Sequence, residues 1–406
     1  MTRKAAGKPQ IGGHRLEDAQ VLLKPWPHKA APIQPAEYEQ RLAQARALMR
    51  QRGDGALLIT AGSSLRYFTG ITWGVSERLV AMLLTLQGDP IVLAPSFEEG
   101  SLSHELKIPV QAWLWEEHEN PQQIVADVMI EQDVQQLALD PAAAFVIHER
   151  LRAVIGDRRI VDASAIVDGC RMCKSPAELA LMKQATAMTL HVHRLAAGLM
   201  RVGISTGEIK RFIDQAHRAL GAEGGSTFCI VQFGHATAYP HGIPGEQHLR
   251  QDELVLIDTG CSVEGYQSDI TRTYIFGTPN AEQERIWLLE QAAQQAAFDA
   301  VRPGVRCDEV DAAARRVLEA AGLGPDYRLP GLPHRTGHGC GMSIHEKPYL
   351  VRGNDTVLAP GMCCSNEPMI VVPGQFGIRL EDHFYVTEDG AAWFTPPSPA
   401  IDRPFA

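Results

Sequence analysis

A chain of 406 residues has room for two or three domains, and an apolar share of 45% beside 21% charged residues excludes disorder, collagen-like repeats and a coiled coil. The 38 basic and 48 acidic residues give a net charge of −10, which opposes a phosphate backbone, so no nucleic-acid partner is expected. The longest apolar stretch, Leu79 to Leu86, is too short for a bilayer, and no apolar run follows Arg3, Lys4 and Lys8 as a secretory signal requires; no membrane association and a cytoplasmic location are expected.

Residues 1–35, punctuated by Pro9, Pro25, Pro27, Pro32 and Pro35, read as an irregular arm. Beyond it Tyr38, Leu42, Ala45 and Met49 recur at helical spacing until Gly53. Short apolar runs at 56–59, 79–86, 91–93 and 137–139 alternate with helical segments, which implies an α/β domain over 36–170. At Ser175-Pro176-x-Glu178 a serine cap, a proline in the first turn and an acidic residue start a helix, with Leu179, Met182, Ala185, Met188, Val192 and Leu195 as its apolar stripe. A domain boundary near Cys170 follows. Helices are expected at 281–301 and 308–321, and strands at 254–258, 266–276, 363–372 and 377–386, so residues 171–406 read as an α+β domain whose strands form hairpins. The eight cysteines lack the spacing of a disulfide framework and read as reduced, mostly buried thiols.

Chemistry concentrates in the second half. The apolar run Leu254 to Ile257 ends on Asp258, and a turn at Val263-Glu264-Gly265 returns a strand carrying Asp269 to the same region. Downstream, Glu367 and Glu381 flank a second hairpin turned at Pro373-Gly374. Carboxylates in apolar strands are costly unless a cation compensates them. Between the hairpins, glycines flank His338 in Thr336-Gly-His-Gly-Cys-Gly-Met-Ser-Ile-His345 and are expected to admit close approach of a ligand. Four carboxylates and one imidazole suit two divalent ions about 3.5 to 4 Å apart with a bridging hydroxide as nucleophile. An oxygen-rich set with one nitrogen favours Mn²⁺, with Zn²⁺ or Co²⁺ as alternatives. Gly337-x-Gly339-x-Gly341 lacks the strand-turn-helix setting of a dinucleotide loop, and His235 and His334 read as structural or pocket-lining.

These words, Asp258-Thr-Gly, Ser268-Asp-Ile-Thr-Arg-Thr, Gly337-His-Gly-x-Gly, Asn366-Glu-Pro and Arg379-Leu-Glu-Asp, resemble the metallopeptidase family of prolidase, aminopeptidase P and methionine aminopeptidase. Ser64-Leu-Arg-Tyr-Phe-Thr-Gly70 and Glu116-Glu-His-Glu-Asn-Pro121 resemble the creatinase-type N-terminal domain of prolidases. The resemblance implies an α/β creatinase-like domain followed by a pita-bread catalytic domain, and a homodimer. It implies that Asp269 and Glu381 bridge the two ions, Asp258 chelates one, and His338 and Glu367 complete the other. Glu367 would also carry the proton of the attacking water, His241 would meet the substrate or its leaving nitrogen, His345 would stabilise the tetrahedral intermediate, Arg379 would bind a substrate carboxylate, and Thr271 would support the ligands. The activity implied is Xaa-Pro dipeptide hydrolysis, with the alternative of a small non-peptide metabolite, as in ectoine hydrolase or dimethylsulfoniopropionate lyase; a creatinase-like activity or a non-catalytic binding role accounts less well for a full metal set. The family's Glu-Pro-Gly-x-Tyr reads Glu367-Pro-Met369-Ile-Val371 here, so the pocket wall is expected to lack one hydroxyl.

Overall fold

The computed structural model describes residues 10–406 and divides them into two units, Ile33–Met172 and a second formed by 10–32 with Cys173–Ala406. Arg3, Lys4, Lys8 and Pro9 of the expected arm lie outside the described residues. The rest of the arm is not irregular: helix α1 (Leu16–Val21) forms there. The segment is held by Gly12 and His14, whose N–H groups donate to Ala197 and Gly198 O at 2.9 and 3.0 Å, and by Trp26 N–H donating to Leu220 O at 3.0 Å. These tertiary hydrogen bonds order a segment whose own periodicity carries little signal.

In the N-terminal unit, α2 (Pro35–Arg52) begins on a first-turn proline and stops at Gly53, whose φ of 77° closes the helix in the left-handed region. There follow β1 (Ala56–Thr60), α3 (Ser63–Thr69), β2 (Ala81–Thr85), β3 (Ile91–Pro95), α4 (Glu99–Glu105), β4 (Gln111–Trp115), α5 (Pro121–Glu131), β5 (Gln136–Leu139), α6 (Phe145–Val154), β6 (Arg159–Asp162) and α7 (Ser164–Arg171). The strands form one sheet in the order β4-β3-β2-β1-β5-β6. Every residue of β1, β2 and β3 is buried, as expected for central strands covered on both faces.

The second unit opens with α8 (Pro176–Gly198), where Ser175 and Glu178 complete a reciprocal capping box, and α9 (Thr206–Leu220), which has an equivalent box at Ser205 and Glu208. Then come β7 (Ser226–Phe233), β8 (Glu253–Val263), β9 (Tyr266–Gln267), β10 (Ile270–Phe276), α10 (Ala281–Ala300), α11 (Cys307–Ala320), β11 (Gly337–Gly339), β12 (Glu346–Leu350), β13 (Cys363–Asn366), β14 (Met369–Val372), β15 (Phe376–Arg379), β16 (Asp382–Val386) and β17 (Ala391–Trp393). One sheet runs β10-β8-β7, a second β12-β11-β13-β16-β17, and β14 pairs with β15. The first hairpin turns at Glu264 and Gly265, both at positive φ (51° and 84°), the pair of left-handed residues that a tight two-residue turn needs.

Three expected long strands are each interrupted, and the interruptions fall at the acidic residues. Residues 266–276 break at Ser268-Asp269, 363–372 at Glu367-Pro368, and 377–386 at Leu380-Glu381. Pro368 has no N–H for the ladder, and at Glu381 the chain passes from the β14–β15 pair into the larger sheet. A residue at such a break is free to aim its side chain away from the alternation of a continuous strand.

Candidate metal centre and its cavity

Asp258 sits within β8, opposite Thr271 of β10, while Asp269 lies just before β10; the first hairpin therefore delivers two carboxylates side by side. Glu381 joins them through a bridge to Thr271, its N–H donating to Thr271 O at 3.1 Å. His338 is carried by β11. The glycines beside it serve the sheet and not a ligand: a Cβ at Gly337 or Gly339 would collide with the carbonyl of Ser365 or Lys347 on the flanking strands. Close approach of three strands is what requires them.

The side chains converge. His338 Nε2 lies 3.1 Å from Glu367 Oε1, 3.7 Å from Asp269 Oδ2 and 3.9 Å from Glu381 Oε1. Its Nδ1 is 3.0 Å from Gly339 O. A carbonyl only accepts, so Nδ1 carries a proton and Nε2 is the nitrogen that faces the carboxylates, by a lone pair once it ligates an ion. A lone pair facing oxygens at that distance requires a proton or a cation between them. Asp258 Oδ1, Asp269 Oδ1 and Glu381 Oε1 are fully buried without a hydrogen-bond partner. Two triads of ligand atoms, from Asp269, His338 and His345 and from His338, Glu367 and Glu381, each fall within 4.8 Å of one another.

Electrostatics agree. Burial pushes the carboxyls of Asp269 and Glu381 well above their usual range, and their acidic neighbours push in the same direction. Burial also raises Asp258, against the pull of Arg379. Burial disfavours the charge of Glu367 too, but in the metal-free protein a proton on His338 Nε2, standing where a cation would, donates to it and with its charge holds this carboxyl below the ordinary range. Such a set stays ionised together only if positive charge occupies its centre, so the donors fit divalent ions.

The centre forms the floor of a cavity of about 640 Å³, within the size range of small-molecule sites. Asp258, Asp269, His338, Glu367 and Glu381 line it together with His241, His345 and Arg379; Phe228, Ile230, Pro240, Pro333 and Ile344 supply an apolar wall. His345 stacks obliquely on His338 with ring centroids 4.0 Å apart, and burial, aided by His338, pushes its imidazole down to about 4.

Two expectations meet contacts in the structure. Arg379, expected to bind a substrate carboxylate, lines the cavity, and three of its five N–H groups serve the protein: Nη2 donates to Asp258, Nε to Thr271 Oγ1 at 3.0 Å and Nη1 to Pro240 O at 3.5 Å. Thr271 Oγ1 in turn donates to Glu381 Oε2 at 2.7 Å, so Arg379 and Thr271 orient the carboxylates. Val371, where a pocket-wall hydroxyl is expected to be lacking, is buried, bridged to Gly331 and not among the residues that line the cavity.

Two residues escaped the sequence reading. Arg335 lines the cavity with its guanidinium 4.5 Å from the Tyr349 ring centroid and, among the described residues, has no carboxylate partner. It stands three residues before His338, immediately ahead of the motif, and its charge is the signal the sequence offers. His383, in β16, is fully buried near Asp269 and Glu381.

Comparison with known proteins gives a consistent result. The sequence model of metallopeptidase family M24 matches residues 180–388, and that of the creatinase/prolidase N-terminal domain matches residues 41–173. The chain is 37% identical over 359 residues to the probable dipeptidase PepE of Mycobacterium tuberculosis, covering 87% of this chain and 93% of that protein. It is 34% identical over 338 residues to the Xaa-Pro dipeptidase of Lactobacillus helveticus, covering 82% and 90%. The crystal structure of dipeptidase PepE from Mycobacterium ulcerans superposes with a TM-score of 0.82 at 34% identity over 91% of this chain and 99% of that one. Recombinant prolidase from Thermococcus sibiricus gives a TM-score of 0.81 at 28% identity over 88% and 97%.

Proposed function

The chain belongs to metallopeptidase family M24 and is a metallo-exopeptidase, and from that premise we propose that it hydrolyses Xaa-Pro dipeptides at the bond before proline with two divalent ions, Mn²⁺ foremost and Zn²⁺ or Co²⁺ as alternatives. The observation that carries the reading is the group of orphaned, buried carboxylate oxygens converging on His338 Nε2. In this reading Asp258, Asp269, His338, Glu367 and Glu381 hold the ions. The ions, when bound, supply Lewis acidity for the scissile carbonyl and for the attacking water.

The protein's own groups do the rest. Glu367, kept ionised by the positive charge of the centre, accepts a proton from the attacking water and returns it to the leaving nitrogen. His345, neutral at pH 7, donates a hydrogen bond where negative charge develops on the carbonyl oxygen. His241 lines the cavity and faces the leaving nitrogen. The apolar wall of Phe228, Ile230 and Pro240 accepts a proline ring and excludes water, and Arg335 joins Arg379 as a partner for the dipeptide carboxylate. The same reading takes 1–35 as an arm, 36–170 as the creatinase-like domain and 171–406 as the catalytic domain of a cytoplasmic homodimer. Among the described residues no helix is long and apolar enough to cross a membrane.

The test strips the protein with a chelator, reloads it with Mn²⁺, Co²⁺ or Zn²⁺, and assays Xaa-Pro dipeptides, other dipeptides, longer Xaa-Pro peptides and small amides or betaines. Metal-dependent turnover strongest on Xaa-Pro dipeptides is expected. Equal turnover of dipeptides without proline overturns the proline specificity, and turnover of a betaine or amide alone replaces the peptidase reading.

A further inference from the structure

We infer that His383 is a sixth protein donor of the metal centre, ligating through one ring nitrogen the ion held between Asp269 and Glu381. The inference deepens the dinuclear reading above and rests on it. Within β16 the neighbouring side chains of Asp382 and His383 point to opposite faces. Asp382 accepts from Arg272 Nη2 at 2.6 Å and from Gln294 Nε2 at 3.1 Å. His383 is thus turned away from Arg272 and Gln294. One of its ring nitrogens lies within 4.8 Å of a carboxylate oxygen of Asp269 and of one of Glu381. Metal–ligand bonds of about 2.1 Å separate two donors on one ion by up to about 4.2 Å, so this trio closes on an ion with a small adjustment.

The imidazole has no other employment. It is 0% exposed, and both its nitrogens lack a hydrogen-bond partner. Structural histidines of the same unit behave differently: His193 Nε2 bonds Ile270 O at 3.0 Å, and His217 bonds Ser226 Oγ at 2.8 Å and Thr189 Oγ1 at 3.1 Å. A buried, unmade hydrogen bond costs about 1–3 kcal/mol, which ligation recovers for the acceptor nitrogen. Asp269 Oδ1 and Glu381 Oε1 are orphaned in the same way, so three unpaired, buried donor atoms belong to three neighbouring residues. His383 is not among the residues that line the substrate cavity, whereas Asp269 and Glu381 are. Its cross-strand neighbour Ser365 accepts from His338 N–H at 3.0 Å and donates to Glu367 at 3.2 Å, so the strand pair that holds His383 also holds the His338 and Glu367 ligands. A second imidazole moves the donor set from the oxygen-rich type that suits Mn²⁺ toward one that suits Co²⁺, Zn²⁺ or Fe²⁺.

The experiment titrates Co²⁺ into chelator-treated, full-length wild type, His383→Asn and His383→Gln. It follows the binding isotherm, the visible absorption and the hyperfine-shifted exchangeable N–H proton signals that each ligating histidine contributes. Wild type is expected to take up two Co²⁺ and to show two such N–H signals. The variants, checked for folding by circular dichroism, are expected to lose one signal and to bind one ion about 100-fold more weakly, at least the scale of losing a group that supports a ligand. A single N–H signal in wild type overturns the inference whatever the variants do, and this reading decides the matter if both variants misfold. Variants with the wild-type isotherm and spectrum also overturn it, as does weakened binding without loss of a signal. Wild type that binds no Co²⁺ overturns the dinuclear reading itself, a different outcome from the others.

Discussion

In the N-terminal unit the buried carboxylates are fully engaged. Asp140, 3% exposed, accepts from Thr60 N–H and Oγ1 at 3.1 Å each and from Ala142 N–H at 3.0 Å; Asp54, 1% exposed, accepts from Arg52 and Gln136 at 2.7 Å each. In the C-terminal unit Asp258, Asp269 and Glu381 each keep a buried oxygen with no partner, and Glu290 keeps two. Among the described residues, every buried side-chain oxygen without a hydrogen bond belongs to the C-terminal unit. Both units bury acid, so burial alone does not separate a scaffold from a site. What separates them is whether the protein itself satisfies the acid it buries.

The largest effect is expected where unpartnered carboxylates converge on His338. Asp269→Asn and Glu381→Gln should lose at least one ion by elemental analysis and about 10³-fold or more in turnover, the several kcal/mol that a metal contributes to a transition state. Full metal occupancy in either variant would remove the basis for assigning those oxygens to ions.

A second contrast concerns acid. The N-terminal unit buries no histidine, whereas the C-terminal unit buries His193 and His217, and burial pushes their imidazoles down to about 3 and about 4. The unfolded chain binds protons at these groups below about pH 6.5 and the folded one does not, so stability falls as pH drops from 6.5 toward 4. For His217 the loss should reach roughly 3 kcal/mol near pH 4. Denaturant melts from pH 7 to pH 4 should show a flatter acid limb in His217→Gln than in wild type; parallel limbs would mean that His217 takes up its proton while folded.

Within the site, a division is expected between groups that hold ions and groups that meet substrate. His345→Ala and His241→Ala should keep normal metal content while turnover falls by about 10²-fold, the scale of one lost acid/base or oxyanion contact. Metal loss in His345→Ala would instead make it a ligand, an outcome that its place in a triad with Asp269 and His338 allows to be read directly.

Legibility in the sequence follows the same line between satisfied and unsatisfied groups. The helices α2, α8, α10 and α11 were readable because caps and apolar stripes agree. Strands β4 and β6 were not, since Gln111–Trp115 and Arg159–Asp162 are sheet edges, largely half-buried or exposed, with little alternation. Helix α9 carried a legible signal in Ser205-x-x-Glu208 that went unused. The five donors were visible because each sits in a distinctive word. His383 directly follows the Arg379-Leu-Glu-Asp word but is not part of it, and its lack of partners exists only once the sheet is folded. The fixation of Arg379 on Asp258 was hidden likewise, for the two are 121 positions apart.

The smallest effect is the one that tests the comparison most directly, because its two halves should differ in sign. In metal-free protein, Asp140→Asn replaces an acceptor-only group by one whose NH₂ faces the Thr60 or Ala142 donors. It should therefore destabilise by about 1–3 kcal/mol, the cost of unmade buried hydrogen bonds. Asp269→Asn removes a carboxylate whose neighbours Glu381, Asp258 and Glu367 all oppose its charge, so the metal-free protein should gain stability, by about 1 kcal/mol on the low side of the same scale. Adding Mn²⁺ should then reverse the second result and leave the first unchanged, since wild type gains binding energy that Asp269→Asn forfeits. Paired thermal melts of wild type and both variants, with chelator and with metal, decide it. If Asp269→Asn destabilised the stripped protein as Asp140→Asn does, the orphaned oxygens would be satisfied in some way other than by an ion, and the two units would handle buried acid alike.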